Sequence, residues 1–282
     1  MIRVATTWDG RPLEATEDCF DAISVRLVSA FSRIGVEHEV VLPGTAPIPG
    51  VWTLHVGYDK TIVNAARATS EMGGKTAWLQ ELPRTDVVDR SFHFVNRKKD
   101  GNPVEGRVRL PFPLDDCYKV CSKEPSFLLD HPAQYRDTTM ITADFLANSY
   151  PKHTLYIQDG HKERHPVSPG RGTPMRWMPY GDWLAATNRI ETYVVSHYES
   201  FGFSIVDMLA RGTRVFAAHK CLNPWFVETM GIKVYNGIWE LDALINMPPP
   251  DPEALVRRTR RRCSTWDRVA NMIAENLLGD QK

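Results

Sequence analysis

Two rhythms of apolar residues alternate along this chain. Short apolar runs at positions 2–6, 39–42, 52–56 and 76–79 have the length of buried strands. Between them, Ile23, Leu27, Ala30, Phe31 and Ile34 recur at helical spacing across 22–34, and Gly35 ends that stretch. A second helical stretch over 61–72 closes on Gly73 and Gly74. Strand, helix, strand in this order predicts a parallel sheet covered by helices. Further short strands are predicted at 92–95 and 107–110. The segment Pro111-Phe112-Pro113-Leu114-Asp115-Asp116 then breaks the pattern.

After the break the rhythm restarts. Strands are predicted at 127–130, 154–157, 175–178, 193–195, 215–217 and 232–235, and helices at 136–147, 182–188 and 204–211. Gly160 to Gly172 reads as a polar loop. Two helices, 252–262 and 266–278, end the chain. Two open α/β units in succession predict two Rossmann-like domains facing across a cleft, with ligands bound outside the carboxyl ends of the strands.

Composition narrows the class. The 282 residues carry 34 Lys plus Arg against 34 Asp plus Glu, so the formal net charge is zero. That excludes the overall basic character of many nucleic-acid binders but not a local basic face. The five cysteines (Cys19, Cys117, Cys121, Cys221 and Cys263) form no CxxC pair and read as free thiols of a reducing compartment. No apolar run approaches the roughly 18 residues of a membrane span, and the first residues do not read as a signal peptide. The expected location is cytoplasmic.

The most informative stretch runs from Ser196 to Val215. It reads as a strand end, a loop with an acid and a glycine, a helix, a glycine stop and a new strand. Gly202 just before the helix lets the backbone approach a ligand and aim N–H groups at an anion such as a diphosphate. Glu199 sits in the loop, where a carboxylate can accept hydrogen bonds from sugar hydroxyls. Asp207 lies one turn into the helix; it could accept from a ribose, or form a capping-box pair with Ser204.

These residues resemble the signature of retaining GT-B glycosyltransferases related to glycogen and sucrose synthases: a Glu, seven residues and a second Glu around a Phe-Gly. Ser196, Glu199, Phe201, Gly202, Ala210, Gly212 and Val215 stand in register with it. The chain departs from the pattern at Asp207, one methylene shorter than Glu, at Met208 and at Arg214. Flanking segments around Pro179, Phe226 and Trp266 also resemble that family. The resemblance implies an α/β GT-B fold, with an acceptor-side domain over 1–116, a donor-binding domain over 117–264 and a helix over 265–282 crossing back to the first domain. It implies transfer of a hexose from a nucleoside diphosphate sugar, UDP- or GDP-linked, to an acceptor hydroxyl with retention, and no bound metal or other cofactor.

On this reading Glu199, Ser200, Phe201 and Gly202 hold the sugar and diphosphate, and Asp207 holds the ribose. The family's diphosphate-binding Arg and Lys pair has no obvious counterpart; His131 and Arg136 occupy that region, with Lys162 and Arg164 next in line. In the first domain, Asp9 after the first strand is a candidate base or acceptor-binding group, or a turn-forming Asp-Gly. His55, a catalytic candidate or a satisfied strand-end histidine, and Glu81 end later strands and face the expected cleft. Arg257, Arg258, Arg260, Arg261 and Arg262, with Arg97, Lys98 and Lys99, offer an anionic acceptor two basic stretches. The acceptor reading therefore spans a hydroxymethylated DNA base, a small molecule or a glycan. A GT-B-fold sugar-nucleotide epimerase and a non-catalytic nucleotide-sugar or nucleic-acid binding protein remain as competing readings.

Overall fold

A computed structural model describes residues 1–16, 19–57, 60–79, 88–94, 107–115, 118, 120–131, 136–159, 172–197, 199, 202–222 and 224–279; of Cys19, His131, Arg136, Asp137 and Asp159 only the backbone is described. Ser200, Phe201, Glu81, Lys162, Arg164, Arg97, Lys98 and Lys99 lie outside the described residues. The chain divides into two units, one formed by Met1–Asp115 with Cys263–Lys282, the other by Asp116–Arg262.

The first unit is built on six strands: β1 (Ile2–Ala5), β2 (His38–Val41), β3 (Trp52–Val56), β4 (Lys75–Leu79), β5 (Arg90–His93) and β6 (Arg107–Arg109). All pair in parallel, in the order β2-β1-β3-β4-β5-β6. Parallel neighbours need crossover connections. Helices α1 (Cys19–Arg33) and α2 (Lys60–Glu71) supply two of them. The strands β1 and β3 are buried throughout, as strands covered on both faces must be.

The end of the chain belongs to this unit. Ser264 N–H donates to the Phe112 carbonyl and Leu114 N–H to the Ser264 carbonyl, a one-residue parallel bridge. The last helix, which starts at Trp266 and ends at Leu278, then packs on α1. Its Asp267 pairs with Arg33 at 2.6 Å. The Trp266 ring meets Phe94 edge-on, with centroids 5.9 Å apart.

The second unit repeats the plan with β7 (Glu124–His131), β8 (Thr154–Asp159), β9 (Thr173–Met175), β10 (Ile190–Val195), β11 (Arg214–Ala218) and β12 (Lys233–Tyr235). These strands are again parallel, in the order β12-β11-β10-β7-β8-β9. The helices are α3 (Arg136–Ser149), α4 (Tyr180–Thr187), α5 (Phe203–Ala210), α6 (Ile238–Ile245) and α7 (Pro252–Arg262), so the terminal helix is α8. Phe127, Leu129, Ile157, Val194 and Phe216 form one face of the sheet, packed against Ala143 and Leu146 of α3 and Leu241 and Ile245 of α6.

Two local expectations change. The helix α6 was not anticipated, although Ile238, Leu241 and Ile245 recur at helical spacing. Its Leu241 and Ile245 are buried, each worth about 1.5–3 kcal/mol. That outweighs the exposure of Trp239 at 81%. The strand expected over 175–178 instead ends at Met175. Among the described residues no helix is long and apolar enough to cross a membrane.

Candidate functional site

In an open parallel sheet a crevice forms where consecutive crossovers leave toward opposite edges, because two neighbouring strands then have their following loops pulled apart. In the second unit that point lies between β7 and β10: β7 continues toward β8 on one side, while β10 continues toward β11 on the other. The carboxyl ends of these two strands bring together Asp130, Tyr193, Ser196, His197 and, in the following loop, Glu199.

Backbone contacts fix the loop. Glu199 N–H donates to the Cys221 carbonyl at 2.8 Å, and Glu199 forms an isolated parallel bridge with Leu222. The Glu199 carboxylate then reaches forward, where its Oε1 accepts the Gly202 N–H at 2.9 Å. Two residues the sequence places in one motif are thereby joined in space.

Gly202 is the N-cap of α5 and has φ of 76°, the left-handed region that favours glycine. A Cβ there would lie 2.1 Å from the Phe226 ring. Only glycine fits this turn, and the turn aims the amino end of α5 back at the Glu199 loop. The Ser204–Asp207 capping pair does not form: α5 starts at Phe203, with Gly202 as its cap and no side-chain cap bond. The left-handed glycine starts the helix two residues earlier than the capping pattern requires.

His197 lies between two carboxylates. Its Nε2 is 3.4 Å from Glu199 Oε2 and its Nδ1 is 3.6 Å from Asp130 Oδ2. Burial disfavours the imidazolium, but the hydrogen bond to Glu199 and the charges of Asp130 and Glu199 outweigh it, so the His197 pKa is raised. Asp130 is also held above the usual carboxylate range, chiefly by burial, with His197 and the Tyr193 hydroxyl opposing. Tyr193 donates to Asp130. Burial and the neighbouring carboxylates push the Tyr193 phenol well above its ordinary pKa, so it stays a fixed donor. Ser196 Oγ, itself 2.7 Å from Thr139 Oγ1, donates to the Asp130 carbonyl at 3.3 Å.

Asp207 sits in a different cluster. It is 3% exposed, and its carboxylate accepts from Tyr118 and, at 2.8 Å, from the Tyr180 hydroxyl. Arg211 braces the same turn, with Nε donating to the Asp207 carbonyl at 3.1 Å and its guanidinium 5.2 Å from the Trp183 ring centroid. His131 is the last residue of β7 and Arg136 the first of α3.

The corresponding point of the first unit lies between β1 and β3, which leave toward β2 and β4. Asp9 is in the loop after β1. It is exposed and paired with Arg11 at 2.8 Å, and that partner lowers its pKa. Trp8 N–H donates to Thr6 Oγ1 at 3.1 Å and the Trp8 indole to the Arg11 carbonyl at 2.7 Å, so the loop is tied to itself. His55 stands opposite Ala5 of β1 and Trp78 of β4. It is 1% exposed, and among the described residues neither ring nitrogen has a hydrogen-bond partner. Burial lowers its pKa to about 4, so it is neutral at pH 7.

Sequence reasoning did not single out Asp130, Tyr193 or His197. The strand pairing that brings β7 beside β10 makes the cluster, and no local spacing encodes that pairing. Among the described residues no group of three or more His, Cys, Asp or Glu could hold a metal ion.

No protein-family model matches the chain, and no curated protein matches it in sequence. Its fold does have counterparts among solved structures. Anabaena Alr3699/HepE in complex with UDP-glucose aligns with a TM-score of 0.65 at 12% identity, over 99% of this chain and 99% of that one. The DNA-modifying enzyme β-glucosyltransferase, studied with and without uridine diphosphoglucose, aligns with a TM-score of 0.53 at 12% identity, over 99% of this chain and 97% of that one. A chain of the GtfA/B complex aligns with a TM-score of 0.52 at 12% identity; 82% of this chain matches, and it spans 57% of that longer one. The architecture these share with this chain is the GT-B fold, α/β with two parallel sheets.

Proposed function

We propose that this chain is a glycosyltransferase that moves a hexose from a nucleoside diphosphate sugar to an acceptor hydroxyl. The observation that supports it most is the hydrogen bond from the Gly202 N–H to the Glu199 carboxylate at the switch point of the second sheet. It sets a fixed carboxylate beside the amino end of a helix. A carboxylate suits sugar hydroxyls, and helix N–H groups suit a diphosphate. The UDP-glucose complex of Alr3699/HepE supports a UDP-linked donor over a GDP-linked one.

In the proposed reaction the bond between the anomeric carbon and the diphosphate oxygen breaks, and a bond to the acceptor oxygen forms. The acceptor hydroxyl gives up its proton, and the diphosphate leaves with the electron pair. Stabilising that leaving charge is the main task of the protein. The amino end of α5 would do this, aided by Arg136 and His131; Ser200, Phe201 and Gly202 would line the donor. Asp207 would reach a ribose by exchanging a tyrosine hydroxyl for a ribose hydroxyl. Asp9 and His55 belong to the acceptor side, where Asp9 would hold the acceptor hydroxyl or take its proton.

Retention at the anomeric carbon follows from the family that the motif resembles. For the acceptor, a hydroxymethylated base in DNA gains support from the DNA-modifying β-glucosyltransferase and from the exposed arginines of α7. Mass spectrometry of UDP- and GDP-sugar panels against pooled acceptors, hydroxymethylated DNA included, tests the proposal. A hexose mass added to an acceptor is the expected result. A donor changed in the absence of any acceptor would replace it with the epimerase reading, and binding without turnover would replace it with a binding protein.

A further inference from the structure

The proposed chemistry leaves the cluster of Asp130, Tyr193 and the half-buried His197 at the switch point unused. We infer that His197 is a positioning residue: it bridges Asp130 and Glu199 and holds the Glu199 carboxylate in the orientation that accepts a hydroxyl of the donor sugar. This rests on the transferase reading above and gives the donor half of that site its supporting frame.

The geometry carries the argument. A glutamate on a loop has three side-chain torsions, and a ligand that must fix them loses affinity to rotamer entropy. Here two protein donors meet the carboxylate from different directions. Gly202 N–H holds Oε1 at 2.9 Å, and His197 Nε2 faces Oε2 at 3.4 Å. On its far side, His197 Nδ1 lies 3.6 Å from the Asp130 carboxylate, a charge contact without a hydrogen bond. Asp130 is held by the Tyr193 hydroxyl, and its backbone carbonyl by Ser196. Both supports rise from paired strands, with Tyr193 opposite Leu128 and Val194 opposite Leu129. The frame therefore starts in paired central strands and ends on a loop side chain.

Charge completes the frame. The charged groups facing His197 are Asp130 on β7 and Glu199 in the loop; the Tyr193 phenol on β10, which donates to Asp130, stays protonated. One imidazolium between two carboxylates is attracted to both, and its pKa is raised accordingly despite burial. Both ring nitrogens must carry protons for the bridge to reach both carboxylates. Raising the pH through the His197 pKa removes one of them and releases one carboxylate.

Three variants and one titration test this. His197→Leu is expected to raise the donor KM about tenfold or more while leaving kcat within about twofold, the pattern of lost binding in ground and transition states alike. His197→Gln puts an uncharged N–H near the place of Nε2; it should bring KM back to within about threefold of wild type and abolish the alkaline rise in KM expected of wild type. An equal KM for wild type and His197→Leu, a fall in kcat alone, or no rescue by Gln overturns the inference. If the Leu variant does not fold, the Gln variant and a proton NMR titration of the His197 imidazole decide. Glu199→Gln should lower the imidazole midpoint without any ligand present, and an unchanged midpoint overturns the bridge. A shifted midpoint with no turnover of any sugar donor would leave the bridge standing and remove the transferase reading.

Discussion

The two sheets present the same topological feature with opposite chemistry. At the switch point of the second unit, Asp130, His197, Glu199 and the Gly202 amide form one connected chain of partners. At that of the first unit, Asp9 is exposed and tied only to its own loop neighbour Arg11, while His55 is buried, neutral and unpartnered among the described residues. The first arrangement is fixed before a ligand arrives and suits a ligand whose charge and hydroxyls are always the same. The second has no fixed charge pointing to a partner and suits a variable one. Under the proposed function the donor belongs to the first arrangement and the acceptor to the second.

The sharpest way to break this comparison is to remove the carboxylate. Glu199→Ala should cut transfer by about 10²–10³, the loss typical of one preorganised polar group at a reacting centre. Its melting temperature should stay within about 5 °C of wild type. Release of nucleoside diphosphate gives the rate, and turnover at the wild-type level would sink the donor-site assignment.

Next in size is Gly202→Ala. The new methyl meets the Phe226 ring and the backbone must keep φ of 76°, so stability should fall by about 2 kcal/mol or more. Denaturant melts measure it. Phe226→Leu in the same chain should recover part of the loss but not the backbone part. An Ala variant as stable as wild type would show that the turn is not held as tightly as the rest of the donor side.

How much of this was legible in the sequence differs between the same two regions. The strand and helix alternation follows from local periodicity, so β3 and the helices α7 and α8 were placed at their observed bounds. Glu199 and Gly202 were legible because they lie three residues apart in one loop. Asp130 and His197 were not, since they are 67 residues apart and meet only because β7 and β10 become neighbours. Asp207 shows the opposite failure: its motif position was legible, but its partners Tyr118 and Tyr180 come from segments distant in sequence. The helix α6 was missed although its periodicity was present, because Trp239 and the acids beside it blur the apolar stripe.

The first unit makes its own contribution to pH dependence. The folded His55 pKa of about 4 is below the unfolded value of 6.5. Between those values the unfolded chain binds more protons, so the stability from His55 is complete above pH 6.5 and is lost as pH falls toward 4. The loss should be on the order of 2–3 kcal/mol between pH 7 and pH 4.5. His93, half-buried near Arg107, acts in the same direction. Urea melts of wild type and His55→Leu at the two pH values check this; His55→Leu should flatten the difference, and an equal slope would mean that His55 is not the titrating group.

The smallest effect on stability should come from Asp9→Asn, and its smallness is informative. Asp9 and Arg11 are both largely exposed, so water screens their attraction and the melting temperature should not move measurably. If Asp9 serves only the turn, Asn keeps its acceptor oxygen toward the Arg11 amide, 3.2 Å away, and transfer is unchanged too. If Asp9 binds the acceptor as proposed, acceptor KM rises while donor KM stays at the wild-type value. If instead it takes the acceptor's proton, kcat falls; in wild type the acidic limb of the pH profile lies below the usual carboxylate range, because the arginine partner keeps Asp9 ionised to lower pH. Asn cannot titrate, so that limb would vanish. Initial rates with each substrate varied in turn separate the three outcomes. A change in donor KM alone would place Asp9 with the donor and break the division between the two switch points.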